Sequence, residues 1–511
     1  MDASTTESPA SDAATAGPHR IDALPVENRY ARLGEPFCVR TEPTPLTRPR
    51  LLHVNAVLLR QLGLGHDEAV RPEFTEILSG NRPLPGGEPL SMRYAGHQFG
   101  AWVPQLGDGR AILLGQLRDR HGVLQDLQLK GAGRTAFSRF GDGRAVLRSS
   151  VREYLAGEAL HHLGIPSTRA LSLIVGDDPV RRETIEPAAV ICRVAPSHVR
   201  FGHFEAFSYA GDVSALRRLA DHVIDEHHPD LSERPDRYTM WLRWVVDRTA
   251  GLMAQWQAVG FCHGVMNTDN MSILGLTLDY GPYGFLDGFD AHHVCNHSDH
   301  AGRYAYDQQP VVGHWNCARL IQACLPLLAE APQSAAEIGQ AVLDRYPDAY
   351  ATAMTRRWRA KFGLKDERDG DPDLINHFLS LLHRGHDDFT GSFRALADVD
   401  TARDAVPPPL RERLHDVEAF DAWLEHYRDR LRGEHSDDAQ RRAEMNRTNP
   451  KYVLRNHLAQ DVIAAAASGD TAPLDRLLTL LRRPYDEHPG LDHYADEPPP
   501  EARHLVLSCS S

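Results

Sequence analysis

The chain contains no run of 18 apolar residues, so nothing in it reads as a transmembrane helix. Its first twenty residues are mostly Ala, Ser, Thr, Asp and Pro, with one Arg and no apolar h-region. They read as a disordered tail, neither a signal peptide nor a typical transit peptide. Cysteine is scarce: seven in 511 residues, none in a C-x-x-C pair. That excludes a disulfide scaffold and makes a reduced cytoplasmic protein the expectation. An excess of basic charge is missing too. The net charge of −14 argues against a dedicated nucleic-acid binder. There is no G-x-x-x-x-G-K-[ST], so the chain is not a P-loop NTPase. Nor does a strand lead into G-x-G-x-x-G, a helix and an acidic residue, as a Rossmann dinucleotide site requires.

What remains is an ordinary globular composition, 42% hydrophobic and 25% charged. The length suits two to three domains or one large two-lobed unit.

The most informative stretch is residues 263–281. Asp269 and Asn270 stand at one end and Asp279 at the other, around a small apolar bridge, 271–278. A hairpin or tight strand pair would bring an amide oxygen and a carboxylate together, a hard oxygen site suited to Mg²⁺. His263 to Asn270 has the length of the kinase motif H-R-D-x-x-x-x-N, and Asp279-Tyr-Gly281 reads like D-F-G. The third position of the first motif, where a kinase carries its catalytic Asp, is Val265.

Upstream, the runs 111–118 and 123–130 flank Asp119-Arg-His-Gly122 and predict a β-hairpin. Three glycine–arginine elements surround it: Gly107-Asp-Gly109-Arg110, Gly131-Ala-Gly-Arg134 and Gly141-Asp142-Gly143-Arg144. Glycines let a backbone approach phosphate closely and expose its N–H groups. Tyr94 to Trp102, aromatic and glycine-rich, is either a packed turn or part of a site. Lys130 is either a solvated strand end or a phosphate contact held by a carboxylate from the next helix. That helix is marked by Leu147, Val151, Tyr154, Leu155, Ala159 and Leu163, with Gly164 as its stop. Glu158 lies inside its apolar arc and Glu153 outside. Burial favours Glu158 as the partner of Lys130, and sequence separation favours Glu153, which we take. Strands are expected at 170–175 and 188–194. Arg193 and Arg200 then flank a turn, either as surface charges or as a fork for phosphate oxygens. Beyond about residue 205 the pattern is helical: 213–228, 238–259, 317–331, 335–362, 410–432 and 458–467. Cys295-Asn-His-Ser-Asp-His300 matches no common zinc spacing and reads better as a loop beside a cleft.

Four motifs carry a family resemblance: YAGHQFGAWVPQLGDGRA, LQLKGAGRTAFSRFGDGRAVLRSSVREYL, HGVMNTDNMSILGLTLDYGPYGFLD and CNHSDHAGRYAYDQQP. From about Tyr30 to Ser511 the chain resembles the selenoprotein O family, pseudokinase-fold protein adenylyltransferases. The resemblance implies an α+β, protein-kinase-like bilobal fold. Its parts would be a tail at 1–29, a β-rich N-lobe at 30–205 with one αC-like helix, a helical C-lobe at 206–490, and a tail at 491–511. It implies transfer of AMP from ATP, with UMP transfer also attributed to the family, to hydroxyl side chains of other proteins. ATP would bind in a flipped orientation with Mg²⁺ or Mn²⁺. Carried over by motif, Gly107, Gly109 and Arg110 belong to the nucleotide loop, and Lys130, paired with Glu153, contacts phosphate. Asp142 and Gly143 contact the nucleotide, Arg193 and Arg200 hold it from the other side, and Asn270 and Asp279 ligate the metal. Asp269 accepts the proton. The resemblance also implies that Cys509, near the terminus, pairs with Cys295. A true kinase, a non-catalytic ATP-binding scaffold and a zinc-dependent regulator are the alternatives.

Overall fold

The computed structural model describes residues 19–402, 408–411 and 413–502. In chain order its elements are β1 (Cys38–Arg40), β2 (Arg50–Val54), α1 (Ala56–Gln61), α2 (Pro72–Leu78), β3 (Leu90–Met92), β4 (Gly96–Gln98), β5 (Ala101–Val103), β6 (Ala111–Arg118), β7 (Leu124–Lys130), β8 (Ala145–Val146), α3 (Leu147–His162), β9 (Arg169–Arg181), β10 (Ile185–Ala195), α4 (Phe201–Tyr209), α5 (Val213–His227), α6 (Arg237–Ala258), β11 (Phe261–Cys262), β12 (Gly284–Phe285), α7 (Gln309–Leu328), α8 (Pro332–Leu343), α9 (Arg345–Lys361), α10 (Asp371–Gly385), α11 (Phe389–Leu396), α12 (Pro408–Arg411), α13 (Val417–Gly433), α14 (Asp438–Thr448), α15 (Asn456–Ala467) and α16 (Ala472–Leu481). Among the described residues no helix is long and apolar enough to cross a membrane.

The principal sheet is antiparallel, in the order β1-β3-β6-β7-β10-β9-β2, with β8 beside β10. Side chains alternate across a strand, and that decides what the sheet offers. On one face Leu127 and Leu129 of β7 join Val190, Cys192 and Val194 of β10 in a core under α1 and α2. The opposite face carries Gln128 and Lys130, and Arg193 stands directly across from Gln128. Lys130 and Arg193 therefore share the face that α3 covers. Helix α3 is buried on nearly all sides, so it needs cover on more than one side. Strands β9 and β10 supply one side, and α15 and α16 pack on another.

Several expected elements shift. Residues 19–29 are not a disordered tail: Ile21 is fully buried and its N–H donates to Glu68 at 2.8 Å. Helices 335–362 and 410–432 each break in two. In the first, Pro347 falls in the opening turn of α9, where a missing N–H costs little. Helices α10, α11, α14 and α16 fall in stretches where no element was named. The expected division at residue 205 is crossed by one hydrophobic core running from α3 through α6 and α7 to α16.

The hairpin expected within 271–278 does not form. Ser272 bridges to Arg200 and Thr277 to Ser167, while Met271, Ile273 and Leu278 are buried. The stretch pairs with residues remote in sequence instead of with itself. The two ends meet because β11 pairs with β12 outside them. His263 Nε2 also lies 3.0 Å from the Leu278 carbonyl oxygen.

Candidate active site

A cleft of about 610 Å³ opens between the sheet and the helical half. Gly107, Gly109, Arg110, Lys130, Asp142, Gly143, Arg193, Arg200, Asp269, Asn270 and Asp279 all line it. Glu153 lies behind Lys130 and accepts its ammonium hydrogen bond.

From Lys130 a continuous chain of charges crosses the cleft floor. Glu153 accepts from Lys130 and from both Nε and Nη2 of Arg193, the latter at 3.1 Å. Arg193 Nη2 also donates to Asp279 Oδ1 at 3.0 Å. Arg200 Nη1 donates to Asp279 Oδ2 at 2.6 Å and to the Asp269 carbonyl at 2.8 Å. Arg200 lies over the Tyr94 ring, 5.0 Å from its centre. Glu158 accepts instead from Arg169 at 2.7 and 2.9 Å, so both glutamates are buried and paired, with different partners.

These partners set the protonation states. Burial pushes Lys130 down to about 8, against the pull of Glu153. Burial raises Glu153, but Arg193 and Lys130 outweigh it and bring the carboxyl to about 2. Burial also raises Asp279, and Arg200, Arg193 and Lys130 overcome it and hold the group well below the ordinary carboxylate range. Asp269 has weaker compensation. Gln98 Nε2 donates to its Oδ2 at 3.1 Å, and Oδ1 is buried without a partner among the described residues. Burial lifts it to about 7. Two neighbouring carboxylates are thus driven apart, one permanently charged and one poised near neutrality.

The backbone is arranged for the same purpose. Asp279 adopts φ +63°, in the left-handed region uncommon for a non-glycine residue. Gly107 has φ +80°, and a Cβ there would run into the Phe137 ring. The element Gly131-Ala-Gly-Arg134 does not line the cleft. Gly131 and Gly133 pack closely against Ala145 and Thr44, so they serve chain packing, which corrects the phosphate reading of 131–134. Asp142 sits at the rim, tied to Arg182 at 2.8 and 2.9 Å.

The metal reading rests on oxygen donors. Asn270 Nδ2 donates to the Val265 carbonyl at 3.0 Å, and its Oδ1 accepts from Arg200 Nη1 at 3.5 Å. With the Asp279 carboxylate beside it in the cleft, the donors are hard oxygens only, which fit a Mg²⁺-type ion. Among the described residues no group of three His, Cys, Asp or Glu forms a complete cage. An ion here would take further ligands from water and substrate phosphates.

Cys295 is buried with its Sγ 3.3 Å from that of Cys262, and burial pushes its thiol well up. Cys509 lies outside the described residues. The segment 295–300 holds no metal group; Asn296 donates to the Gly264 carbonyl at 3.0 Å, and Asp299 accepts from the Tyr304 amide at 2.7 Å.

Sequence reasoning missed Asp108, a buried carboxyl on the cleft wall that accepts from the Met92 amide at 3.0 Å. Its place inside Gly-Asp-Gly-Arg was the available signal. It also missed Glu205, which joins His97 at 2.6 Å and accepts from Thr268, the neighbour of Asp269. The stretch from Tyr94 does border the cleft, through Tyr94, Gln98 and Phe99.

Residues 20–482 match a family model described as protein adenylyltransferase SelO. A protein nucleotidyltransferase YdiU of Methylococcus capsulatus is 56% identical over 97% of this chain and 98% of its own length. Those of Myxococcus xanthus and Thioalkalivibrio sulfidiphilus are each 52% identical over 96% of this chain, and over 99% and 100% of their own.

Proposed function

The chain belongs to the SelO family of protein adenylyltransferases, and from that premise we propose that it transfers a nucleoside monophosphate from a nucleoside triphosphate to hydroxyl side chains of other proteins. ATP is the donor we assign, with UTP as a second. Mg²⁺ or Mn²⁺ is the cation, held by Asn270 and Asp279. The sheet with α3 and the helical half would be the two lobes of a kinase-like arrangement. The observation that carries the reading is the buried chain from Lys130 through Glu153, Arg193 and Asp279 to Arg200, in one cleft with the unpartnered oxygen of Asp269.

The acceptor hydroxyl oxygen attacks the α-phosphorus. A new P–O bond forms as the bond from the α-phosphorus to the bridging oxygen breaks, and pyrophosphate leaves with that electron pair. Asp269 Oδ1 takes the hydroxyl proton, a role suited to a carboxyl whose pKa is about 7. Lys130, Arg193 and Arg200 offset charge growing on the leaving group, from positions already fixed before reaction. Amides around Gly107 and Gly143 orient the phosphates. A bound divalent cation would neutralise phosphate charge and polarise the phosphoryl oxygens. Val265 leaves an apolar side chain where a kinase base would stand.

Incubation with ATP labelled at the α- or the γ-phosphate tests the reading. Label on protein from the α position alone is expected; label from the γ position alone would assign a kinase.

A further inference from the structure

Beside the cleft lies a second groove of about 650 Å³, and the two share Phe99 in their walls. Val294, Arg303, Val311 and Trp315 line this groove. We propose that it docks the acceptor protein, selecting a hydroxyl-bearing segment with an aliphatic side chain and acidic neighbours. This rests on the protein-acceptor reading above and deepens it.

Three observations carry it. The first is continuity with the chemistry. Gln98 of β4 donates to Asp269 Oδ2, and the next residue, Phe99, forms the wall between cleft and groove. Phe99 is held there with φ +50°, its amide donating to Asn267 Oδ1 at 3.1 Å and to Tyr304 Oη at 2.9 Å. A segment whose hydroxyl sits at Asp269 would run past Phe99 into the groove.

The second is exposed apolar surface. Phe99 is 42% exposed, Val294 38% and Val311 63%. Beyond them Tyr209, 52% exposed, stacks on Trp102 with ring centres 3.8 Å apart. Aromatic residues and arginine are the usual anchors of protein interfaces.

The third is charge. Arg303 and Arg319 lie over the Trp315 ring at 4.7 and 5.2 Å, and the Nε of each has no hydrogen-bond partner among the described residues. Neither forms an ion pair with a carboxylate there. Of the other groups at this groove, His292 Nδ1 lies 2.7 Å from Asp307 Oδ2, and Asp307 Oδ1 is buried without a partner among the described residues. Arg303 lines the groove and Arg319 backs its Trp315, so two guanidinium groups outnumber the one carboxylate of the lining, Asp307, and favour carboxylates in whatever binds.

The test is a peptide array with a central Ser, Thr or Tyr and systematically varied neighbours. It is labelled with α-labelled ATP by the full-length enzyme, by an Arg303→Glu/Arg319→Glu variant and by Val311→Asp. The wild type should favour acidic and aliphatic neighbours over basic ones by about tenfold or more. The double variant should reverse the charge preference, and Val311→Asp should lose the aliphatic one, each with an unchanged KM for ATP. A wild type without neighbour preference, or one that labels folded proteins but no peptide, overturns the groove assignment. So does a double variant that keeps the wild-type preference, or one that alters only the oligomeric state, which gives the surface to a second copy. Absence of α-label on any protein overturns the acceptor reading on which the groove rests.

Discussion

Arg200 and Asp279 meet at 2.6 Å inside the cleft, and the same guanidinium nitrogen reaches the Asp269 carbonyl oxygen at 2.8 Å. One arginine therefore ties the carboxylate assigned to the metal to the backbone of the residue assigned to the proton. It points at the Asp269 carbonyl while pairing directly with the Asp279 carboxylate. That difference helps keep Asp279 charged while burial lifts Asp269 to about 7.

Asp269 should therefore govern the pH profile. Its proton-accepting form grows as pH rises, so kcat/KM for ATP should climb through an acid limb near the Asp269 value of about 7 and fall again as Lys130 loses its charge near 8. Asp269→Asn should abolish the limb and most of the rate. Stability moves in the opposite sense. A carboxyl raised above its ordinary 3.8 favours folding below that value and loses this contribution as pH rises through about 7. Denaturant titrations should find Asp269→Asn more stable than wild type by roughly 1–3 kcal/mol at pH 8 and no different at pH 4.

Asp279→Asn separates charge from backbone shape. Asn tolerates the left-handed conformation at φ +63°. The substitution leaves Arg193 and Arg200 buried with less compensation. Stability should fall by about 2–4 kcal/mol, and transfer should be lost even at high Mg²⁺ or Mn²⁺. Chemical denaturation and α-label transfer check the two effects separately.

The two glutamates of α3 should part in their effects. Glu153→Gln removes the charge shared by Lys130 and Arg193, so KM for ATP should rise by about tenfold and Lys130 should titrate lower. Glu158→Gln weakens the Arg169 pair behind the helix, so the melting temperature should drop while KM for ATP holds. An identical pattern from both variants would contradict the separate partners seen here.

Much of this cleft was legible in the sequence because its residues sit in short motifs with fixed spacing. Strand alternation puts Lys130 and Arg193 on one face, and Asp269, Asn270 and Asp279 lie within eleven residues of each other. Sequence separation picked Glu153 over Glu158 as the partner of Lys130, and burial alone would have picked wrongly. A helical wheel ranks burial but cannot know that Arg169 waits for one and Lys130 for the other. The hairpin at 271–278 failed for the same reason: its partners, Arg200 and Ser167, are remote in sequence. The packing of α15 and α16 on α3 is likewise a long-range fact that local periodicity does not contain.

Thiol chemistry gives a further check. Cys295 is buried beside Cys262 with its pKa pushed well up, so it should alkylate far more slowly in the native protein than in denaturant. The Cys295–Cys509 link that the family resemblance implies would require segment 295–300 to turn away from Cys262. Non-reducing peptide mapping after oxidation should yield that linked peptide; a 262–295 peptide instead would assign the oxidation to the buried pair.

The most direct measurement replaces ATP with two analogues and weighs the acceptor protein intact. A methylene bridge between the β- and γ-phosphates leaves the bond broken in AMP transfer untouched, so the acceptor should gain one adenylate. A methylene bridge between the α- and β-phosphates should stop the gain completely. Gain of a single phosphate from the α,β-bridged analogue, with none from the β,γ-bridged one, would contradict the account.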